Sequence, residues 1–214
     1  MHIPDGFIPF WQCAIYYVIL IVALYFASKW ARKNLDDKRI PLLAVLAAGI
    51  FAIMSMNMPI PFGTSGHMVG GALVAIIFMA PEAAVIVFTV VLIIQALVFG
   101  DGGITVLGAN VLNMAIIGGF TGLFTFKVLK DKVGIYIASG VGAWLATVLS
   151  ALACAIEMAI AGTFPLTIGV ASMVTYHLFI GIIEAVLTVI VIAAIEKFRP
   201  DLLYWDNEKT TGGE

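Results

Sequence analysis

The first seven residues, Met1-His2-Ile3-Pro4-Asp5-Gly6-Phe7, hold the most unusual chemistry in the chain. A histidine directly after the initiator methionine sets three nitrogens close together: the Met1 α-amine, the His2 amide and the His2 imidazole. They are placed to close two small chelate rings on one metal ion. The enzyme that trims initiator methionine requires a small second residue, so His2 is expected to leave Met1 in place. Pro4 pushes Ile3 toward extended geometry, and Asp5-Gly6 is a turn signal, so the tip can fold back on the residues after it. An ordinary frayed terminus is the other reading open to these residues.

A second histidine, His67, follows the segment Pro59-Ile60-Pro61-Phe62-Gly63-Thr64-Ser65-Gly66, which cannot continue a helix and reads as an ordered loop. Ser65 is expected to N-cap the next helix, with His67 in its first turn, where the dipole disfavours imidazolium and keeps the ring able to bind metal. One imidazole added to the three terminal nitrogens gives four nitrogens around one ion. Planar nitrogen coordination suits Ni(II) or Cu(II) rather than the tetrahedral Zn(II) of structural sites. An unperturbed imidazole titrates near about 6.5, so binding is expected to weaken below roughly that pH. Asp5 and Ser65 are candidates for the wall of the same site. A histidine that merely caps an interfacial loop is the alternative for His67.

His177 and Glu184 lie seven apart and therefore on one face of a helix. Ionisable groups inside a membrane point inward and are paired. The pair reads as a structural polar contact or an inner lining of the pocket, with a second metal site as the bolder alternative. Asn57, Gln95, Asn110, Asn113 and Glu157 read as interhelical hydrogen-bonding residues. Cys13 and Cys154, within apolar runs, read as small buried hydrophobes.

The elements that must position these groups are apolar. Of 214 residues, 62% are hydrophobic and 11% charged, with a mean hydropathy of +1.10, against about 25% charged in soluble domains. The chain reads as an all-α, polytopic membrane bundle in a prokaryotic plasma membrane, with no features for nucleic acid. The amino-terminal run has no basic n-region and no cleavage pattern, so it is not expected to be a removed signal. Seven spans are expected, 8–30, 41–58, from Ser65 to about Ala80, 83–99, 108–126, 134–161 and 172–195; the third is short for a full crossing, and a re-entrant pair of the third and fourth is the alternative. Residues 1–7 form a metal-chelating segment, 8–197 the membrane domain and 198–214 a polar tail. All 11 Lys and Arg fall in the 29–39 stretch, the 127–132 stretch or the tail, which seven spans place on one side. The amino terminus is then outside and the carboxyl terminus cytoplasmic.

Met1-His2-Ile3-Pro4-Asp5-Gly6, Gly66-His67-Met68, Phe99-Gly100-Asp101-Gly102-Gly103 and Asn110 with Asn113 together resemble the CbiM/NikM family. These are the substrate-binding membrane components of energy-coupling factor transporters for cobalt and nickel. The resemblance covers nearly the whole chain. It implies that Met1, His2 and His67 hold the metal, that the amino-terminal segment inserts into the outer mouth of the bundle, and that one helix is added to the usual six. The expected partners are a membrane coupling subunit, two ABC-type ATPase subunits and a small accessory membrane subunit. No resident cofactor is expected, Ni(II) or Co(II) being cargo. Ala44, Ala48 and Ala52, spaced by four, form a small-residue stripe that lets another helix approach. In such transporters a stripe of this kind docks the coupling subunit, although internal packing would use the same residues. Ala23, Ala27 and Ala31 repeat the spacing.

No phosphate-cradling Gly-x-x-x-x-Gly-Lys-Ser/Thr motif is present, so a partner must hydrolyse ATP. The His-Glu-x-x-His motif, the nucleophile elbow and paired Asp motifs are likewise missing from the sequence. The reading is a non-enzymatic specificity subunit that captures Ni(II) or Co(II). Two alternatives stand beside it: a binding component for an organic micronutrient, and an intramembrane zinc enzyme built from His67, His177 and Glu184.

Overall fold

The computed structural model describes residues 1–203 and 205; of the expected tail, residues 204 and 206–214 lie outside the described residues. Among the described residues, seven helices of eight residues or more follow one another: α1 Phe10–Asn34, α2 Arg39–Met54, α3 Gly71–Phe78, α4 Pro81–Phe99, α5 Leu107–Val133, α6 Ile135–Ile160 and α7 Leu166–Phe198. Five of them (α1, α4, α5, α6 and α7) are long and apolar enough to cross a membrane. The last turn of α4, Gln95–Phe99, and residues Leu112–Ile117 of α5 are wound as π-helix. A two-stranded antiparallel ribbon, β1 Met58–Pro59 and β2 Ser65–Gly66, lies between α2 and α3.

The outer faces are apolar, as a lipid-facing surface requires. Phe10, Val18, Tyr25 and Phe26 of α1, and Phe179, Ile182 and Ile190 of α7, are exposed. The centre is packed through small residues. A Cβ on Gly122 of α5 would strike Ala72 of α3, and one on Gly142 of α6 would sit 2.8 Å from the Gly122 carbonyl. Backbones this close exclude any larger side chain, and they bind α3, α5 and α6 into one core.

The third segment departs most from the sequence expectation. Ser65 does not N-cap a helix and His67 is not in a first turn: Ser65 pairs within the ribbon, and the helix starts only at Gly71. Residues 67–69 run into the bundle as irregular backbone, and Gly70 caps the helix, its carbonyl accepting from Val74 N (3.2 Å). The Glu184 carboxylate accepts from Val69 N (2.7 Å) and Gly70 N (2.8 Å). Irregular backbone at such depth survives only where it is buried and hydrogen-bonded within the protein. All eight residues of α3 are buried. It ends in a left-handed Met79 (φ +51°), with Met79 N to Ile76 O (3.2 Å) and Ala80 N to Ala75 O (3.0 Å), the bonding of a Schellman cap. Pro81 then opens α4 two residues earlier than expected, at a position where its missing N–H costs nothing.

Other boundaries also move. α2 stops at Met54 rather than near Met58. α5 continues through its basic end to Val133. α7 begins at Leu166 rather than Ser172, because nothing after Pro165 interrupts it. A Cβ on Gly169 would meet only Phe164, at 3.7 Å.

Candidate metal site

The amino-terminal segment is threaded into the mouth of the bundle, and Met1, His2 and Ile3 are all buried. Four elements hold its main chain and Asp5, and Gln95 of α4 holds the His2 ring. Asn110 of α5 reads the Ile3 peptide in both directions: Ile3 N–H donates to Asn110 Oδ1 (2.8 Å), and Asn110 Nδ2 donates to the Ile3 carbonyl (3.1 Å). Asp5 takes Thr105 N (2.9 Å), Thr105 Oγ1 (2.5 Å) and Ile104 N (3.3 Å) from the loop before α5. The Thr163 hydroxyl donates to the Phe7 carbonyl. Ser65 receives the Met1 amine on its carbonyl and on Oγ (3.2 Å), and the His2 amide on Oγ (3.2 Å).

These bonds leave lone pairs free. A neutral amine has two hydrogens, and Ser65 accepts both, so its lone pair is unused. Gln95 Oε1 lies 3.1 Å from His2 Nε2. A carbonyl oxygen only accepts, so Nε2 carries the hydrogen and Nδ1 the lone pair. At His67 the Met68 carbonyl, 2.8 Å from Nδ1, fixes the opposite tautomer. His2 Nδ1 and His67 Nε2 are both buried without a hydrogen-bond partner, and the two rings stack with centroids 4.4 Å apart. Met1, His2 and His67 are therefore brought together, with Ser65 against them and Asp5 anchoring the segment from outside.

The environment is dry and keeps the nitrogens unprotonated. Burial lowers the Met1 amine pKa from 8.0 to about 5, against the attraction of Cys154 and Asp101. Burial, then repulsion from the amine, takes His2 down to about 3. His67 is 2% exposed. The helix-dipole account of a neutral His67 is thus replaced by burial. Among the described residues, no group of three or more His, Cys, Asp or Glu side chains is arranged to hold a metal ion. A cation here would draw half of a four-nitrogen set from the main chain.

The other candidates sit elsewhere. His177 is buried in α7, with Nδ1 bonded to the Met173 carbonyl four residues back (2.7 Å) and Nε2 without a partner. Both oxygens of Glu184 accept from the α3 approach, so this carboxylate fastens backbone. Ala44, Ala48 and Ala52 are all exposed, whereas Ala27 of the parallel stripe on α1 is fully buried. Asn113 does bridge helices, Nδ2 donating to Glu157 Oε2 of α6 (2.6 Å). Gln95 and Asn110 instead hold the amino terminus. Their polarity inside apolar runs was the available signal, and it gives no partner.

The chain matches the model of the CbiM family, cobalt uptake substrate-specific transmembrane region, over residues 2–202. It is 42% identical over 220 residues to a protein of Methanocaldococcus jannaschii assigned to metal transport, covering 99% of each chain. It is 33% identical to the fused nickel transport protein NikMN of Rhodobacter capsulatus, covering 95% of this chain and 64% of that longer one. A crystal structure of a transition metal transporter superposes with a TM-score of 0.87 at 37% identity, covering 92% of this chain and 93% of the other. The chain belongs to the CbiM family of metal-uptake membrane proteins. It is a multi-pass membrane transport component and not an enzyme.

Proposed function

We propose that the protein is the specificity subunit of an ATP-driven, energy-coupling-factor importer, capturing Ni(II) or Co(II) at the extracytoplasmic face. The carrying observation is the pair of imidazoles held in opposite tautomers, whose unpartnered nitrogens, His2 Nδ1 and His67 Nε2, share a dry site with the Met1 amine. The ligands are then the Met1 amine, the His2 amide and imidazole, and His67. The metal replaces the amide proton, and Ser65 is left to hold the amine hydrogens. Relatives named for nickel transport support the choice of cargo.

Seven crossings, amino terminus outside, fit the geometry. Residues 65–79 run from the end of the bundle that holds Met1 to the end where Met79 and Pro81 share a cavity with Trp30 and Lys127. With α3 counted as a crossing, every Lys and Arg lies at that second end or in the tail. The partners are a membrane coupling subunit, approached by the exposed alanine stripe of α2, two ABC-type ATPase subunits and a small accessory subunit.

The test uses the chain's first atom. Adding one Gly before Met1 keeps every side chain but turns the free amine into an amide. The extended protein should insert normally and lose tight Ni(II) binding with its weak blue-region absorption, as should His67→Ala. His177→Ala should be far milder. Wild-type Ni(II) binding by the Gly-extended protein would overturn amine ligation. An organic-nutrient carrier or a zinc site would show no Ni(II) spectrum in the unmodified chain.

A further inference from the structure

Among the described residues, the mouth of the bundle carries no Lys or Arg, and outside the helices its only carboxylates are Asp5 and Asp101. Asp5 is fully engaged, both oxygens accepting from residues 104–105. Asp101 is not. Its Oδ2 accepts from Asn57 Nδ2 (2.8 Å), while Oδ1 lies 3.2 Å from His2 Nδ1. That approach is not a hydrogen bond: Nδ1 is without a partner, and its hydrogen is absent because Gln95 fixes the proton on Nε2. Two acceptors therefore face each other at close range. The Asp101 side chain is 24% exposed and His2 only 2%, and both line one open cleft with Asn57, Thr64 and Gly100. One partner touches solvent and the other touches the buried site.

Nitrogen and oxygen donors bind a divalent ion at about 2.0–2.2 Å, so two of them at right angles on one ion stand about 3 Å apart. The observed 3.2 Å fits that geometry. We propose that Asp101 Oδ1 and His2 Nδ1 form an entry site, where an incoming hydrated divalent cation is first held before it passes to the four buried nitrogens. Asp101 supplies charge where the ion still keeps most of its water. His2 Nδ1 is common to both sites, so transfer exchanges the carboxylate and waters for the amine, the amide and His67. The proposal rests on the four-nitrogen reading for its destination.

The two positions differ kinetically. A group that holds the ion on the path but not at the end changes association and dissociation by the same factor, because their ratio is the equilibrium constant. Stopped-flow mixing of the full chain in detergent with Ni(II) alone, and of the loaded protein with excess chelator, reads both rates. Asp101→Asn should slow each by about 10-fold, the lower end of electrostatic capture effects, while the final spectrum and affinity stay as in the wild type. Asp101→Glu should restore most of the rate. If Asp101→Asn fails to insert, Asp101→Ser serves the same comparison. An unchanged association rate overturns the entry site, and so does faster dissociation with weakened affinity, the mark of a residue that holds the end state. Loss of the planar spectrum in the wild type would overturn the four-nitrogen site instead, with the rate ratio still readable from tryptophan fluorescence.

Discussion

Gln95 and Met68 choose which nitrogen of each histidine is free, and that choice can be counted in protons. Above its ordinary pKa of 8.0 the free amine is neutral wherever it lies; between 8 and about 5 only the undocked segment takes up a proton. Docking is therefore fully favoured above pH 8 and weakens as pH falls toward 5, since the undocked state binds more protons in that window. In the docked protein at pH 7 the amine and both imidazoles are already neutral. Ni(II) binding should then release about one proton, from the His2 amide. Calorimetry in buffers of different ionisation enthalpy measures this; a release near three would mean that the ligands are protonated before metal arrives. The acid limit of binding accordingly moves from the free-imidazole value of about 6.5 toward 5. His2 and His67 could be picked out from residue type and topology alone. Asn110 and Gln95 could not be assigned to the site, because an amide in an apolar run has many partners on offer and the sequence names none.

Among the helices, the α3 approach depends on one carboxylate. Glu184→Ala would leave Val69 N and Gly70 N buried without an acceptor, at about 1–3 kcal/mol each. It should lower the melting temperature and weaken Ni(II) binding by freeing the segment that carries His67. Glu184→Gln keeps one acceptor oxygen and should lose about half as much stability, read by thermal unfolding in detergent. The outward face of α2 makes a separate prediction. Ala44, Ala48 and Ala52 are exposed and a Cβ on Gly49 would meet nothing, so Ala48→Leu should leave Ni(II) binding by the isolated subunit intact while weakening co-purification with a coupling subunit. Reduced metal binding with normal assembly would assign the stripe to internal packing. Long apolar runs made α1, α4, α5, α6 and α7 legible, α4 and α6 to within two residues and the others with ends up to seven residues away. The start of α3 was not, because what ends the irregular stretch is a residue 115 positions away, and no local signal reports it.

For the molecule as a whole, the single-sided distribution of Lys and Arg is the strongest constraint. A reporter fused at Lys132 should read as cytoplasmic, and one inserted at Gly162, in the short turn before α7, as external. A cytoplasmic signal at Gly162 would overturn this map. Charge bias and hydropathy propose this map, and hydropathy alone made the five long apolar helices legible. Close packing in the centre was only hinted at by glycines, whose partners are set by tertiary approach.

The brevity of α3 also bears on how the protein is made. Eight residues span about 12 Å, far less than the roughly 30 Å of hydrocarbon, and the Val69 and Gly70 amides before it bond to Glu184 of α7. Its partners in α5 and α7 are made after it: α5 carries Gly119 and Gly122, against which Ala75 and Ala72 pack, and α7 carries Glu184. The groove that receives His67 is thus completed only once α7 has been made.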